Sequence, residues 1–109
     1  MATMMTDRPV TLRREQAETY DVLVYELDRL ERLPESQCNA VYKRIDLLGV
    51  DLDKQCVKLE DALSREETRL RDGGSTPDLD DRWIKNLRRL ELMRSLLDRA
   101  YAALPRVTA

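Results

Sequence analysis

The chain has 109 residues, a net charge of −2 at neutral pH and no histidine. Charged residues make up 37% of it and hydrophobic residues 42%, a mixture typical of long, exposed helices. The length is enough for one domain with a modest core, and the near-neutral charge gives no overall attraction to nucleic acid. Without histidine, the chain lacks the usual general base and the commonest metal ligand.

The amino-terminal segment MATMMTDRPV, residues 1–10, shows no apolar periodicity and predicts a flexible tail. It lacks the apolar core of a signal peptide, and no apolar run of the chain approaches the length of a membrane span. Cys38 and Cys56, if they share one helix, lie about 27 Å apart and cannot form a disulfide. We therefore expect a soluble, intracellular protein from a reducing compartment.

A first helix is predicted over about residues 11–33. Its main stripe follows the 3-4-3 spacing of one helix face and consists of Tyr20, Leu23, Leu27 and Leu30. The apolar residues that widen the surface beyond this stripe are Val22, Val24, Tyr25 and Leu33. A helix that is apolar on more than one side is expected to contact more than one neighbour.

Pro34 decides whether the first helix continues. Within a helix its ring would clash with the carbonyl of Leu30, and the residue before a proline is pushed away from helical dihedrals. Pro34 and Glu35 instead suit the first turn of a new helix. The sequence therefore favours a break and a turn over a kink.

A second helix is predicted over about residues 35–72. Its main seam consists of Val41, Ile45, Leu48, Leu52, Cys56, Leu59, Leu63 and Leu70. Leu47, Val50 and Val57 lie to the side of that seam, and Gly49 suggests the close approach of another backbone. Gly73 ends the helix, because glycine readily adopts the left-handed conformation that follows a helix terminus.

A third helix is predicted over about residues 77–104, with Thr76 as its N-cap and Pro77 in its first turn. Pro105 ends it, and residues 106–109 form a short tail. The predicted inner stripe consists of Leu79, Trp83, Leu87, Leu90, Leu97, Tyr101 and Leu104.

The predicted architecture is all-α: an elongated antiparallel three-helix bundle with a long central helix, forming a single domain over residues 11–105. The second helix is too long for its neighbours to cover, so we expect self-association or binding to another helical protein. The alternative is a monomeric bundle with a shorter, bent second helix. The residues assigned to association are Tyr20, Leu23, Val24, Leu27, Leu48, Leu52, Cys56 and Leu59, and on this assignment Leu27→Asp disperses a dimer.

The sequence predicts that the chain is not an enzyme. Asp78, Asp80 and Asp81 cluster at a helix start, where carboxylates complement the helix dipole, and they lack the spacing of a calcium loop. Cys38 and Cys56 have neither a neighbouring histidine nor a CxxC spacing, and no glycine-rich phosphate loop is present. We expect no cofactor, no metal and no small-molecule substrate.

The third helix carries a basic face formed by Arg82, Lys85, Arg88 and Arg89. It could bind an acidic protein or nucleic acid, or it could be a solvated face that balances acids of the second helix. No aromatic residue alternates with the arginines as in a base-stacking surface, so nucleic acid is not the expected partner.

The segment YDVLVYELDRLERLP resembles the start of the amino-terminal dimerisation domain of inhibitor-of-growth chromatin proteins. The matching residues are Tyr20, Leu27, Leu30, Leu33 and Pro34, and the segment from Tyr42 to Leu63 resembles the long helix of that domain. The resemblance covers about residues 17–72. It implies a nuclear subunit that assembles a chromatin-modifying complex, without the family's methyl-lysine-reading zinc finger.

The third helix is also similar to that of the BAG domains of Hsp70 co-chaperones, which use basic and polar residues to bind an ATPase domain. This similarity implies the alternative function, a monomeric cytoplasmic adaptor that binds its partner through the basic face. The first expectation remains a non-enzymatic scaffold that associates as a homodimer or with another helical protein.

Overall fold

The computed structural model describes residues 11–74 and 76–105 and confirms the all-α class. Helix α1 spans Arg14–Arg32, α2 spans Asn39–Arg71 and α3 spans Pro77–Ala103, with a 3-10 turn at Glu35–Gln37. None of the described residues forms a strand. The predicted tails, residues 1–10 and 106–109, lie outside the described ranges.

The chain turns at Pro34, as predicted. Leu33 and Pro34 both have extended backbone dihedrals, with ψ of 146° and 149°. The following residues form the 3-10 turn, so α2 begins at Asn39, four residues later than expected. The Cys38 thiol donates to the Pro34 carbonyl at 3.3 Å and closes the turn.

A Schellman motif ends α2. The Gly74 amide donates to the Arg69 carbonyl at 2.9 Å, and the Gly73 amide donates to the Leu70 carbonyl at 3.2 Å. Gly73 has φ of 87°, the left-handed conformation that its position in the sequence predicts.

The start of α3 also follows the prediction. The Thr76 hydroxyl accepts a hydrogen bond from the Leu79 amide at 3.1 Å, and Pro77 occupies the first turn. The helix ends at Ala103, two residues before Pro105.

The three helices run up, down and up, and each packs against the other two. Arg99 near the end of α3 pairs with Asp28 near the end of α1 at 3.1 Å, so these two helices are parallel. The lengths are unequal: α1 has 19 residues, α2 has 33 and α3 has 27. The radius of gyration is 17.0 Å, against about 13 Å for a compact chain of this size, so the molecule is elongated.

The core lies where all three helices meet. Its buried residues are Leu23, Leu27, Val41, Ile45, Leu52, Cys56, Leu59, Met93, Leu96, Leu97 and Ala100. On α3 this differs from the predicted stripe, because Met93, Leu96 and Ala100 are buried while Tyr101 is exposed. The reason is that α3 contacts both α1 and α2. The residues that it buries are therefore those that face the groove between these two helices.

Polar side chains fix the alignment of α1 on α2. The Thr19 hydroxyl donates to Asp51 at 2.7 Å and accepts from the Gln55 amide at 3.0 Å. Nearer the Pro34 turn, the buried carboxylate of Glu26 lies 3.3 Å from Arg29 and 3.6 Å from Arg44.

No helix of the described ranges combines the length and the apolar character that a membrane crossing requires. This finding agrees with the hydropathy of the sequence.

The expectation for Gly49 is wrong in one respect. Gly49 is buried, but the groups that a Cβ at this position would face are the side chains of Tyr101 and Leu97 rather than the backbone of another helix. A Cβ at this position would lie 3.6 Å from Tyr101 Cε1, an ordinary van der Waals distance.

Gly49→Ala and Gly73→Ala are expected to change stability in opposite directions. Alanine favours a helix interior over glycine by about 0.5–1 kcal/mol, and the space at residue 49 accepts it. At residue 73 the left-handed backbone penalises a Cβ by about 1–2 kcal/mol. Chemical denaturation of both variants at one protein concentration measures the difference. Destabilisation by Gly49→Ala would show that the Tyr101 ring cannot accept a methyl group beside it.

Candidate interaction surfaces

The residues assigned to association from sequence lie mostly inside the single chain. Buried in its core are Leu23, Leu27, Leu52, Cys56 and Leu59, while half-buried against that core are Tyr20, Val24 and Leu48. A partner that docks on the folded bundle does not reach the buried five. The assignment is therefore corrected, because the stripes of α1 and α2 pack on each other and on α3.

The same correction applies to Leu27→Asp. Leu27 is only 3% exposed, so a carboxylate there would be buried without a partner and would destabilise the chain itself. Loss of a dimer in this variant would not locate the interface.

The outer face of α2 is the first candidate surface. Leu47 is 70% exposed, Val50 45% and Val57 47%, so about half or more of each of these side chains faces solvent in the described chain. Exposed apolar residues on the flanking helices are Val22 and Tyr25 on α1 and Ile84 and Tyr101 on α3.

The outer face repeats with heptad spacing. Positions three and four residues apart form one stripe, which we call the outer seam: Ala40, Lys43, Leu47, Val50, Lys54, Val57, Asp61 and Ser64. All of these residues are exposed. The helix periodicity places them opposite Ile45, Leu52 and Leu59, which face the core.

Tyr101 borders the outer face where α3 crosses Gly49. Burial raises the pKa of its phenol, and the carboxylates of Asp53 and Asp46 raise it further.

The predicted basic face of α3 is divided between free and engaged side chains. Arg82 and Arg88 are exposed, and Lys85 pairs with Asp81 at 3.0 Å. Arg89 is part of the chain's own structure, because its Nε donates to the Thr11 carbonyl at 2.9 Å. Burial lowers the pKa of this guanidinium, and nearby Arg13 lowers it further.

A cleft of about 500 Å³ opens at the start of α1. It lies beside the first turn of α1, beyond which α2 and α3 continue as a two-helix hairpin. Its lining residues come from all three helices and from the residue before α1: Arg13, Arg14, Glu15, Gln16, Gln55, Lys58, Leu59, Ala62 and Asn86. No local pattern of the sequence predicts this basic cleft, because its charges come from segments far apart in the chain.

A network of hydrogen bonds lies at the edge of the cleft. The Asn86 Nδ2 donates to the buried carboxylate of Glu66 at 3.3 Å, and its Oδ1 accepts from Arg89 Nη1 at 2.7 Å. Arg89 extends this network to the backbone of Thr11, because its Nε donates to the Thr11 carbonyl. These contacts tie the entry of α1 to both other helices.

The cysteines and carboxylates add no chemical centre among the described residues. Cys38 and Cys56 are free and buried, and burial raises the pKa of the Cys56 thiol. Within residues 11–74 and 76–105, no three cysteine or carboxylate side chains group as metal ligands. The Asp78, Asp80 and Asp81 cluster lies in the first turns of α3.

The chain was compared with protein-family models, curated proteins and solved structures, and it matches none of them. The resemblances to inhibitor-of-growth and BAG domains therefore remain predictions.

Asn86→Ala is expected to destabilise the chain by about 1–3 kcal/mol, because it removes a hydrogen-bond donor from the buried Glu66 carboxylate. The matched control is Thr68→Ala, which removes an exposed hydroxyl bonded to the Ser64 carbonyl and should change stability by less than about 0.5 kcal/mol. Denaturant unfolding compares the two. Equal effects would mean that Glu66 gains nothing from Asn86.

Proposed function

We propose that this chain is a non-enzymatic protein–protein interaction module that forms a homodimer through the outer seam of α2. The observation that carries the proposal is the row of exposed aliphatic side chains at Leu47, Val50 and Val57. Scattered exposed apolar residues are ordinary, but a row at heptad spacing along one long helix is the pattern of helix pairing.

The charges of the outer seam support a second copy of the chain as the partner. Consider two α2 helices that pair antiparallel with their two-fold axis at the level of Leu52. Leu47 of one helix then faces Val57 of the other. In the same arrangement Lys43 faces Asp61, and Val50 faces the methylene stem of Lys54. Every contact then occurs twice, as two-fold symmetry requires.

Other arrangements of the same two helices fit less well. A parallel, in-register pair places Lys43, Lys54 and Asp61 each against its own copy, which like-charge repulsion disfavours. If one helix of the antiparallel pair is shifted by one heptad in one direction, Lys43 faces Lys54. If it is shifted by one heptad in the other direction, the aliphatic residues of the two helices no longer face each other. The proposal is therefore specific in both orientation and register.

The resemblance of residues 17–72 to the inhibitor-of-growth dimerisation domain supports an assembly function. It extends the proposal to a scaffold that brings subunits of a chromatin-modifying complex together in the nucleus. The dimer itself rests on the outer seam and does not depend on this extension.

Val50→Asp is expected to convert a dimer into a monomer, because it places a carboxylate in the middle of the seam. The matched control is Ile84→Asp on α3, since Ile84 is 44% exposed and Val50 45%, and Ile84 lies away from the seam. Light scattering over a concentration series measures the mass against 12.7 kDa for one chain. A monomeric wild-type chain at all concentrations, or equal effects of both variants, would contradict the proposal.

Cross-linking tests the antiparallel register. Chains with Leu47→Cys and chains with Val57→Cys are treated with a short thiol cross-linker, separately and as a mixture. We expect linked dimers from the mixture alone, because residue 47 lies about 15 Å along the helix from its own copy in an antiparallel pair. The wild-type chain, with both thiols buried, is the control.

Linkage of either variant with itself would indicate a parallel pair and would overturn the register while leaving a dimer. Reversal of charge gives a second test. Lys43→Glu and Asp61→Lys should each weaken association, and the double variant should restore it, because the two residues then face each other again with opposite charge.

A further inference from the structure

Within the described ranges, only α2 and α3 run along the hairpin end of the bundle. Helix α1 begins at Arg14, beside Arg89 and Asn86, while α2 continues to Arg71 before it turns. From Ala62 to Arg71 the uncovered part of α2 is about 15 Å long, or nearly three helical turns. The cleft at the start of α1 opens into this uncovered surface.

This surface is basic. Three of the residues that line the cleft are cations, Arg13, Arg14 and Lys58, against one carboxylate, Glu15. Beyond the cleft, helix periodicity from Ala62 puts Arg65 and Arg69 on the same side of α2, and both are exposed.

The α3 wall of the hairpin continues the positive surface. Arg82 is exposed and lies one helical turn before Asn86. It is on the side of α3 that packs against α1 later in the helix.

Two acids of this region are engaged, since Glu66 is buried and bonded to Asn86 and Asp81 pairs with Lys85. Arg14 of the cleft pairs with Glu18 at 3.6 Å. The remaining exposed cations outnumber the exposed acids Glu15, Asp72 and Asp78, so the excess charge is positive; these cations are Arg13, Lys58, Arg65, Arg69 and Arg82.

The floor of the cleft contains both apolar and polar groups. Leu59 is buried at the base of the cleft and Ala62 is half-buried beside it. The Gln55 side-chain oxygen is buried and has no hydrogen-bond partner among the described residues. The amino-terminal end of α1 adds the positive end of its dipole at the same place.

We propose that this cleft and the adjoining hairpin bind an acidic, amphipathic helix of a partner protein, which lies on α2 and α3 in line with α1. The length of the uncovered hairpin suits about three turns of helix, the basic rim suits carboxylates on its polar face, and the floor accepts small apolar side chains. Residues 1–10 of the chain itself contain one acid, Asp7, and one base, Arg8, so they do not supply the complementary charge.

The test uses a synthetic amphipathic helical peptide with glutamates on one face and leucines on the other. Its binding to the full chain is followed by fluorescence anisotropy. A peptide with glutamine in place of glutamate, and a short RNA oligonucleotide, are run beside it. We expect the glutamate peptide to bind more tightly than both probes, with an affinity that falls as salt rises.

Variants locate the site. Lys58→Glu and Arg69→Glu are each expected to weaken peptide binding by about three- to tenfold, since each replaces an attraction with a repulsion. Arg32→Glu is the matched control, because Arg32 is an exposed arginine at the far end of α1 and should leave binding unchanged. Circular dichroism confirms that all three variants keep their helix content.

Three results would overturn the inference. They are equal binding of the glutamine peptide, equal or tighter binding of the RNA, and indifference of peptide binding to both Lys58→Glu and Arg69→Glu. The result is independent of the proposed homodimer, because Val50 lies about a quarter of the helix circumference away from Lys58 and Arg69, so Val50→Asp should leave peptide binding intact.

Discussion

The unequal lengths of the helices determine most of this structure, because a helix can bury its apolar face only where a neighbour runs beside it. At 33 residues α2 extends past the start of α1, which has only 19. The three helices therefore share one core near the Pro34 turn, and near Gly73 the described part of the chain has only the α2–α3 hairpin. Both candidate surfaces arise from this mismatch, since one is the uncovered hairpin and the other is the outer side of the longest helix.

The polar contacts of α1 explain why the short helix keeps one position on the longer pair. Thr19 bonds to Asp51 and Gln55, Glu26 approaches Arg44, and Arg89 holds the backbone of Thr11. Apolar packing alone would tolerate sliding by a helical turn, whereas these bonds are satisfied in one alignment. These bonds fix the position of the start of α1 along α2 and α3, and hence the place and size of the cleft beside it.

The two proposed surfaces are compatible in one assembly. The outer seam and the basic cleft lie on different sides of α2, so a chain can pair with its copy and bind an acidic helix at once. An antiparallel pair would carry its two clefts toward opposite ends. Such an arrangement would bind two acidic segments at a fixed separation, and linked segments would gain affinity through their high local concentration.

The sequence by itself determined the helix boundaries that depend on local chemistry: the break at Pro34, the left-handed Gly73 and the Thr76 cap. It also predicted that Leu47 and Val57 lie to the side of the main seam of α2, because their place on the helix follows from periodicity alone. Only the tertiary structure decided that Leu23, Leu52 and Cys56 face the chain's own core, and that Met93 rather than Tyr101 is buried. The physical reason is that a periodic pattern defines an apolar face but not the neighbour that covers it. The cleft depends further on where α1 begins against two distant segments, which bonds between residues far apart in the chain establish.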